Sequence, residues 1–538
     1  MMLRSPHATM FLTVLVFAWA RTSAAQAPVQ DGSLPVDVLL QGGLILDGSG
    51  GPGARGDVGL RGDRIVAIGE FTPSSVGRVI DCRGLYVAPG FIDLHTHSDV
   101  QLVDPLLRAA VNYVMQGCTT QVTGNCGSGP VNVGKLYASV DKDGAGTNVA
   151  HLIPQGALRS EVIGTVDRNA SPEELQKMCA IAENAMREGA WGMSTGLIYV
   201  PSVYADTAEI AAIAQVVGRH GGLYASHIRG EGGELLTAIS EALDIGQQSG
   251  APVHVSHFKS SGEENWGKLR LAIDLIEQAR ARGERVTADQ YPYTASSTSL
   301  EATVVPTWAR SGGEKELQAR LADVETGPKV RAAIEESLRK KRDGAALFIA
   351  RYSKKPAWVG KNLAEIAANE GRTATEIAWE IVRNGGAAIV NFSMDEEDVR
   401  QAMQRPWVAT ASDGRAYLPG SDRPHPRSYG TFPRKIGRYS IRDGVLPIEQ
   451  AIRSASGLPA DILGLPERGY LRTGFFADIV VFDPEAFVDT ATYDNPHQYA
   501  AGMKYVFVNG HPAVHAGTPT GTLAGRALRH QSKAPERN

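Results

Sequence analysis

Apolar and polar positions divide the chain into a β-rich start, a long alternating middle and a β-rich end. In the first part, Val38–Leu39–Leu40 and Leu44–Ile45–Leu46 flank Gly42–Gly43. Val58–Gly59–Leu60 and Ile65–Val66–Ala67–Ile68 flank Gly62–Asp63, a hairpin pattern. Near the other end, Ile479–Val480–Val481–Phe482 and Tyr505–Val506–Phe507–Val508 again read as strands with turn residues beside them. The two β-rich parts, 36–88 and 465–525, are expected to meet in one small composite β-sandwich.

The middle, 89–464, alternates strand and helix. Eight apolar runs read as strands: 90–94, 119–123, 149–154, 192–197, 223–226, 253–256, 286–290 and 407–411. Helices lie between them. Ser171–Pro172–Glu173–Glu174 supplies an N-cap, a proline in the first turn and a capping-box glutamate. A second helix runs from Leu235 and stops at Gly250, a residue able to take the left-handed cap. Eight such units predict an α/β fold, a (β/α)₈ TIM-like barrel with chemistry at the carboxyl ends of its strands. Residues 298–349 interrupt the alternation and read as an insertion, a lid or an inert surface excursion.

Residues 1–27 carry Arg4, an apolar stretch and a small-residue run at Thr22–Ser23–Ala24–Ala25. This reads as a secretory signal peptide, which places the protein in a bacterial periplasm or outside the cell. No other long apolar run points to a membrane. A net charge of −4 with no basic stripe gives no reason to expect a nucleic-acid partner. Four cysteines in 538 residues are too few for a disulfide scaffold. Nothing in the pattern marks an oligomeric interface.

Candidate chemistry gathers at the ends of the predicted strands. In Asp93–Leu94–His95–Thr96–His97 the two histidines are two residues apart on a strand and share a face, an arrangement suited to Zn²⁺. Cys126 follows the second strand, His227 and His257 end the fifth and sixth, and Asp413 ends the eighth. His227, His257 and the Cys126 thiolate make a three-ligand Zn²⁺ site with a fourth position open, the pattern of catalytic zinc. His95, His97 and Asp413 make a second, weaker site. Asp413 is also the natural general base, passing a proton to a leaving amine, so its two roles compete or alternate. For Cys126 the competing reading is a buried thiol or a disulfide to Cys118. His254 shares no face with His257 and reads as a strand-wall residue, and His151 has no partner motif.

These residues resemble the metal-dependent amidohydrolase superfamily, and within it the D-aminoacylases (N-acyl-D-amino-acid deacylases). The broader likeness rests on Gly90 through His97 and the two flanking β-rich parts. The narrower one rests on Gly124–Asn125–Cys126–Gly127, Ser226–His227–Ile228–Arg229–Gly230–Glu231, Ser256–His257–Phe258–Lys259, Tyr291–Pro292–Tyr293 and His425–Pro426–Arg427. It spans about 36–525. The resemblance implies zinc-dependent hydrolysis of small N-acyl-D-amino acids, with Cys126 replacing the bridging lysine of many relatives; residues 190–200 contain no lysine. It implies Arg423 as the clamp on the substrate carboxylate, with Tyr199, Lys259, Tyr291 and Ser297 as polar contacts. An Arg fork suits a carboxylate, and Arg427 is the alternative clamp. D-residue dipeptides, cyclic amides and a non-catalytic barrel stand as alternative readings.

Overall fold

The computed structural model describes residues 34–531. The expected signal peptide at 1–27 lies outside them. Among the described residues no helix is long and apolar enough to cross a membrane.

Each of the eight strand positions read from the apolar pattern carries a parallel strand. Phe91–Asp93, Cys118–Thr123 and Asn148–His151 pair in that order. Ile153–Pro154, Gly192–Gly196, Leu223–His227, Val253–Val255, Val286–Gln290 and Val408–Thr410 continue the same order in a second sheet. The third strand is broken only at Leu152, which separates Asn148–His151 from Ile153–Pro154. The last strand returns to the first: Thr96 forms a parallel bridge with Gly414, and the Asp413 amide donates to the His95 carbonyl at 2.8 Å.

The expected helix signals are present. Ser171 and Glu174 form a capping box at the start of Pro172–Arg187, and Leu235–Ser249 ends on Gly250 at φ 73°. Helical Ile210, Ile213, Ile239 and Ile276 pack with strand residues Val253, Val255 and Val286, all buried. Full burial of such an aliphatic side chain contributes roughly 1.5–3 kcal/mol. This core holds the strand ends in fixed relation.

The terminal parts share one nine-stranded sheet. Pro35–Ile45 pairs with Ala54–Arg61, Ser75–Asp81 and Tyr86–Pro89, and the last of these pairs antiparallel with Ile479–Phe482. Met503–Val508 and His511–His515 extend it.

The insertion is larger than the 298–349 read from the sequence. Ala295–Ser299, Leu347–Arg351 and Ala388–Phe392 form an antiparallel sheet. Its helices, including Thr326–Arg339 and Ala374–Arg383, bury Leu317, Ile334, Ile349, Leu363, Ile377 and Ile389 in a core of their own. Residues 350–392 therefore belong to this unit too. The apolar run at 347–351 finds its partner in 388–392 rather than in the parallel strands, which no local pattern could signal.

Candidate active site

The strand ends converge on Cys126. Its Sγ lies 3.2 Å from His95 Nε2, 3.6 Å from His257 Nε2 and 3.7 Å from His227 Nδ1. All four residues are buried. At the same edge of His95, Asp413 Oδ1 lies 3.0 Å from His97 Nε2 and 3.6 Å from His95 Nε2. Ligand atoms of His95, Cys126 and His257 lie within 4.8 Å of one another, as do those of His95, His97 and Asp413. The first group takes His95 where the sequence reading has His227, and His227 joins Glu231 and His257 in a third, so the six residues read from the sequence form one cluster divided differently from the expected triads. Cys126 is not in a disulfide, since all four cysteines are free.

Three of these residues stand in the left-handed backbone region that favours glycine: Cys126 at φ 51°, His257 at φ 36° and Asp413 at φ 49°. Such strain costs of the order of 1–3 kcal/mol per residue and collects at functional sites. Local hydrogen bonds hold it. The Asn125 side-chain amide donates to the carbonyls of Leu94 and Val122. The Ser412 amide donates to Asp93 Oδ1 at 3.0 Å, and so does the His95 amide at 3.1 Å.

Electrostatics suit metal binding. Burial pushes the Cys126 thiol up, but His95 beside it and hydrogen bonds from His227 and His257 outweigh burial and hold it well below the usual thiol range. Burial likewise opposes ionisation of Asp413, and the Arg427 guanidinium with His95 and His97 overcomes it. Arg427 Nη1 lies 2.8 Å from Asp413 Oδ2. Glu231 is ionised for the same kind of reason: Lys259, His227 and His257 together outweigh its burial. Its Oε1 lies 2.9 Å from His257 Nδ1 and 2.5 Å from Lys259 Nζ. A thiolate, four imidazoles and a carboxylate converging at the ends of parallel strands fit a divalent ion of zinc type.

Two cavities open on the cluster. One of 320 Å³ is walled by His227, Lys259, Tyr291 and Phe392, and one of 860 Å³ by His97, Cys126 and Arg427. Tyr199, His257, Ser297, Thr298 and Asp413 face both. Of the proposed substrate contacts, Tyr199, Lys259, Tyr291 and Ser297 are therefore at the cavities. The Tyr199 hydroxyl is 3.0 Å from Thr298 Oγ1, and the Ser297 hydroxyl donates to the Ile389 carbonyl at 2.9 Å. Arg423 is not gathered with them. Its guanidinium lies against Gly360, while its amide donates to the Ala350 carbonyl. Arg427 is the guanidinium at the cluster, and it stacks 4.7 Å over the Tyr291 ring.

Sequence reasoning gave no role to Asp93, Glu231 and Asp289. Asp93 lies in the first motif and Glu231 four positions after His227, so both carried a positional hint. Asp289 had none beyond its place in a predicted strand. Its carboxylate lies 2.9 Å from His254 Nε2 and 3.4 Å from His95 Nδ1. Through Asp289, His254 is tied to the ligand residue His95.

A cluster able to hold a metal at parallel strand ends, with a carboxylate in it and cavities opening onto it, has the parts a metal-dependent hydrolase needs. Residues 78–514 match the amidohydrolase family model. The D-aminoacylase of Alcaligenes xylosoxydans xylosoxydans is 37% identical, over 93% of this chain and 99% of its own. A solved D-aminoacylase structure, described for its binuclear metal centre, superimposes with a TM-score of 0.79 at 35% identity, covering 92% of this chain and all of that one. The N-acyl-D-glutamate deacylase of Bordetella bronchiseptica, solved with zinc and a phosphonate inhibitor, gives a TM-score of 0.77 at 32% identity, over 92% and 100% of the two chains. The chain belongs to the metal-dependent amidohydrolases, in the D-aminoacylase family.

Proposed function

We propose that this protein hydrolyses the amide bond of N-acyl-D-amino acids, giving a carboxylate and a free D-amino acid. The observation that carries the reading is Asp413: an ionised carboxylate in the ligand cluster, 3.0 Å from His97 and facing both cavities. The D-configuration rests on the relatives, which are a D-aminoacylase and an N-acyl-D-glutamate deacylase.

Cys126, His227 and His257 would hold the tighter Zn²⁺, and His95, His97 and Asp413 a weaker one. When bound, zinc supplies Lewis acidity toward the amide carbonyl and lets water ionise near neutral pH. Asp413 takes the proton from the attacking water and returns it to the leaving amine, the general base becoming general acid. Arg427 keeps Asp413 ionised and holds its Oδ2, leaving Oδ1 turned toward His95 and His97. Lys259, anchored on Glu231, and the Tyr291 hydroxyl offer contacts to the substrate carboxylate from the smaller cavity. Arg423, the clamp the family likeness assigns, reaches that carboxylate only if its segment turns inward from Gly360.

The parallel strands are read as one closed (β/α)₈ barrel, supported by the Thr96–Gly414 bridge and by the Trp191 amide donating to the His151 carbonyl at 3.0 Å. The terminal sheet is read as its companion domain, and the segment at 1–27 supports export. Dipeptides ending in a D-residue are a second reading, favoured by the 860 Å³ cavity and its walls of Ser128, Ser160, Ser202 and Ser353. The experiment is amine release from matched N-acetyl-D-, N-acetyl-L- and D-terminal dipeptide substrates. Turnover of D-substrates alone supports the proposal, and turnover of L-substrates alone contradicts it.

A further inference from the structure

Asp289 and His254 lie behind the ligand cluster, and no step derived above uses them. Asp289 is 1% exposed and His254 2%. A buried carboxylate is held only where hydrogen bonds replace water, so each of its contacts carries information. One oxygen, Oδ1, accepts from the His257 backbone amide at 2.6 Å. The other, Oδ2, lies 2.9 Å from His254 Nε2 and 3.4 Å from His95 Nδ1. The Asp289 carbonyl also accepts from the Phe258 amide at 2.8 Å.

These contacts reach a residue in each proposed ion set. His257 sits at φ 36°, a conformation its neighbours must enforce, and Asp289 Oδ1 grips its amide at that point. His95 presents Nε2 to Cys126 and Asp413, which requires the proton of the neutral ring to be on Nδ1, facing Asp289. Behind it, His254 Nδ1 lies 2.8 Å from the Thr287 hydroxyl, which donates to the Val253 carbonyl, and His254 Nε2, 2.9 Å from a carboxylate oxygen, carries the proton of that contact toward Asp289. Asp289 Oδ2 thus accepts from two imidazoles at once, and only a group with no proton to donate can do so.

We propose that Asp289, steadied by His254, is a positioning residue that fixes the His95 ring and the His257 backbone for metal binding. Partners of this kind behind a ligating histidine set ring orientation and metal affinity, and their loss typically costs about 10–100-fold in affinity. The inference rests on the metal reading of the cluster.

The test is chelator competition on the metal-loaded full chain, with the visible spectrum of the Co²⁺ form and the melting temperature of the metal-free form recorded alongside. Asp289→Asn keeps the shape but turns an N–H either toward the imidazoles or toward the His257 backbone amide, each of which needs an acceptor. It is expected to release metal about 10–100-fold more readily and to change the Co²⁺ bands, with little change in metal-free melting. His254→Leu is expected to weaken retention in the same direction, and His254→Gln, which can return an N–H near the place of Nε2, to restore it. Should Asp289→Asn fail to fold, the two His254 variants decide the matter. Metal retention and spectra equal to the parent in Asp289→Asn, or equal between the Leu and Gln variants, would overturn the role of Asp289. A parent protein that takes up no metal would instead remove the metal reading itself.

Discussion

The terminal sheet and the ligand cluster are both built on strands and both enter the left-handed backbone region, the sheet in its turns, at Gly62, Asn509 and Ala516, and the cluster at residues whose side chains it needs. In the sheet the hairpin between Ala54–Arg61 and Arg64–Gly69 turns through Gly62 at φ 56°, where the left-handed conformation meets no Cβ. Around the cluster the same region is occupied by Cys126, His257 and Asp413, each bearing a side chain the site needs. The sheet packs Val480, Val481, Phe482 and Val506 fully buried, and the charge it buries, Arg468 with Asp478, is a matched pair tied to Asn509. The cluster buries charge, held by partners such as Arg427 and Glu231. The contrast separates two tasks: one region stabilises the fold, and the other spends part of that stability on side-chain direction.

Substitutions can break this separation or sharpen it. The largest effect is expected at Asp413. Asp413→Ala should lower kcat by about 10²–10⁴-fold, the usual share of a general acid–base group, with the circular dichroism spectrum unchanged. Near-parental turnover would remove its role. Next is the sheet. Phe482, packed 4.7 Å from Phe487 and 5.5 Å from Tyr86 between ring centres, should on change to Ala lose about 3–5 kcal/mol in denaturant unfolding. Its kcat below the melting transition should stay near parental, whereas a large fall in kcat would mean the two regions are coupled.

A smaller effect separates the two arginines. Arg427→Ala should act mainly on kcat, because Asp413 loses its brace, while Arg423→Ala should act on KM if its segment turns in to grip substrate. Charged hydrogen bonds of this kind contribute about 1.5–3 kcal/mol, or roughly ten- to hundredfold. Steady-state kinetics on one D-substrate reads both, and a KM effect confined to Arg427→Ala would move the clamp there. The smallest effect belongs to the exposed sheet surface: Val79→Thr, at a position 54% exposed, should change stability by less than about 0.5 kcal/mol.

Much of this architecture was legible in the sequence because its signals are local. Short apolar runs marked the parallel strands, which are buried on both faces, and caps such as Ser171 and Gly250 marked helix ends. His95, His97, Cys126, His227, His257 and Asp413 were legible because each sits at the end of such a run. What escaped was set by distant pairing. Asp289 meets His95 across 194 positions, and no pattern in the strand at 286–290 distinguishes that carboxylate from a surface one. The insertion was cut short at 349 because its last strand, Ala388–Phe392, gains meaning only from partners at 295–299 and 347–351. The direction of Arg423 depends on packing against Gly360, which spacing does not encode.

The most direct test of the account is amine release from N-acetyl-D- and N-acetyl-L-amino acids by metal-analysed protein, before chelation, after chelation and after Zn²⁺ is returned. The account predicts turnover of the D-series alone, lost with the metal and regained with zinc. Fully metal-loaded protein that releases amine from neither series, or turnover that survives complete metal removal, would contradict it.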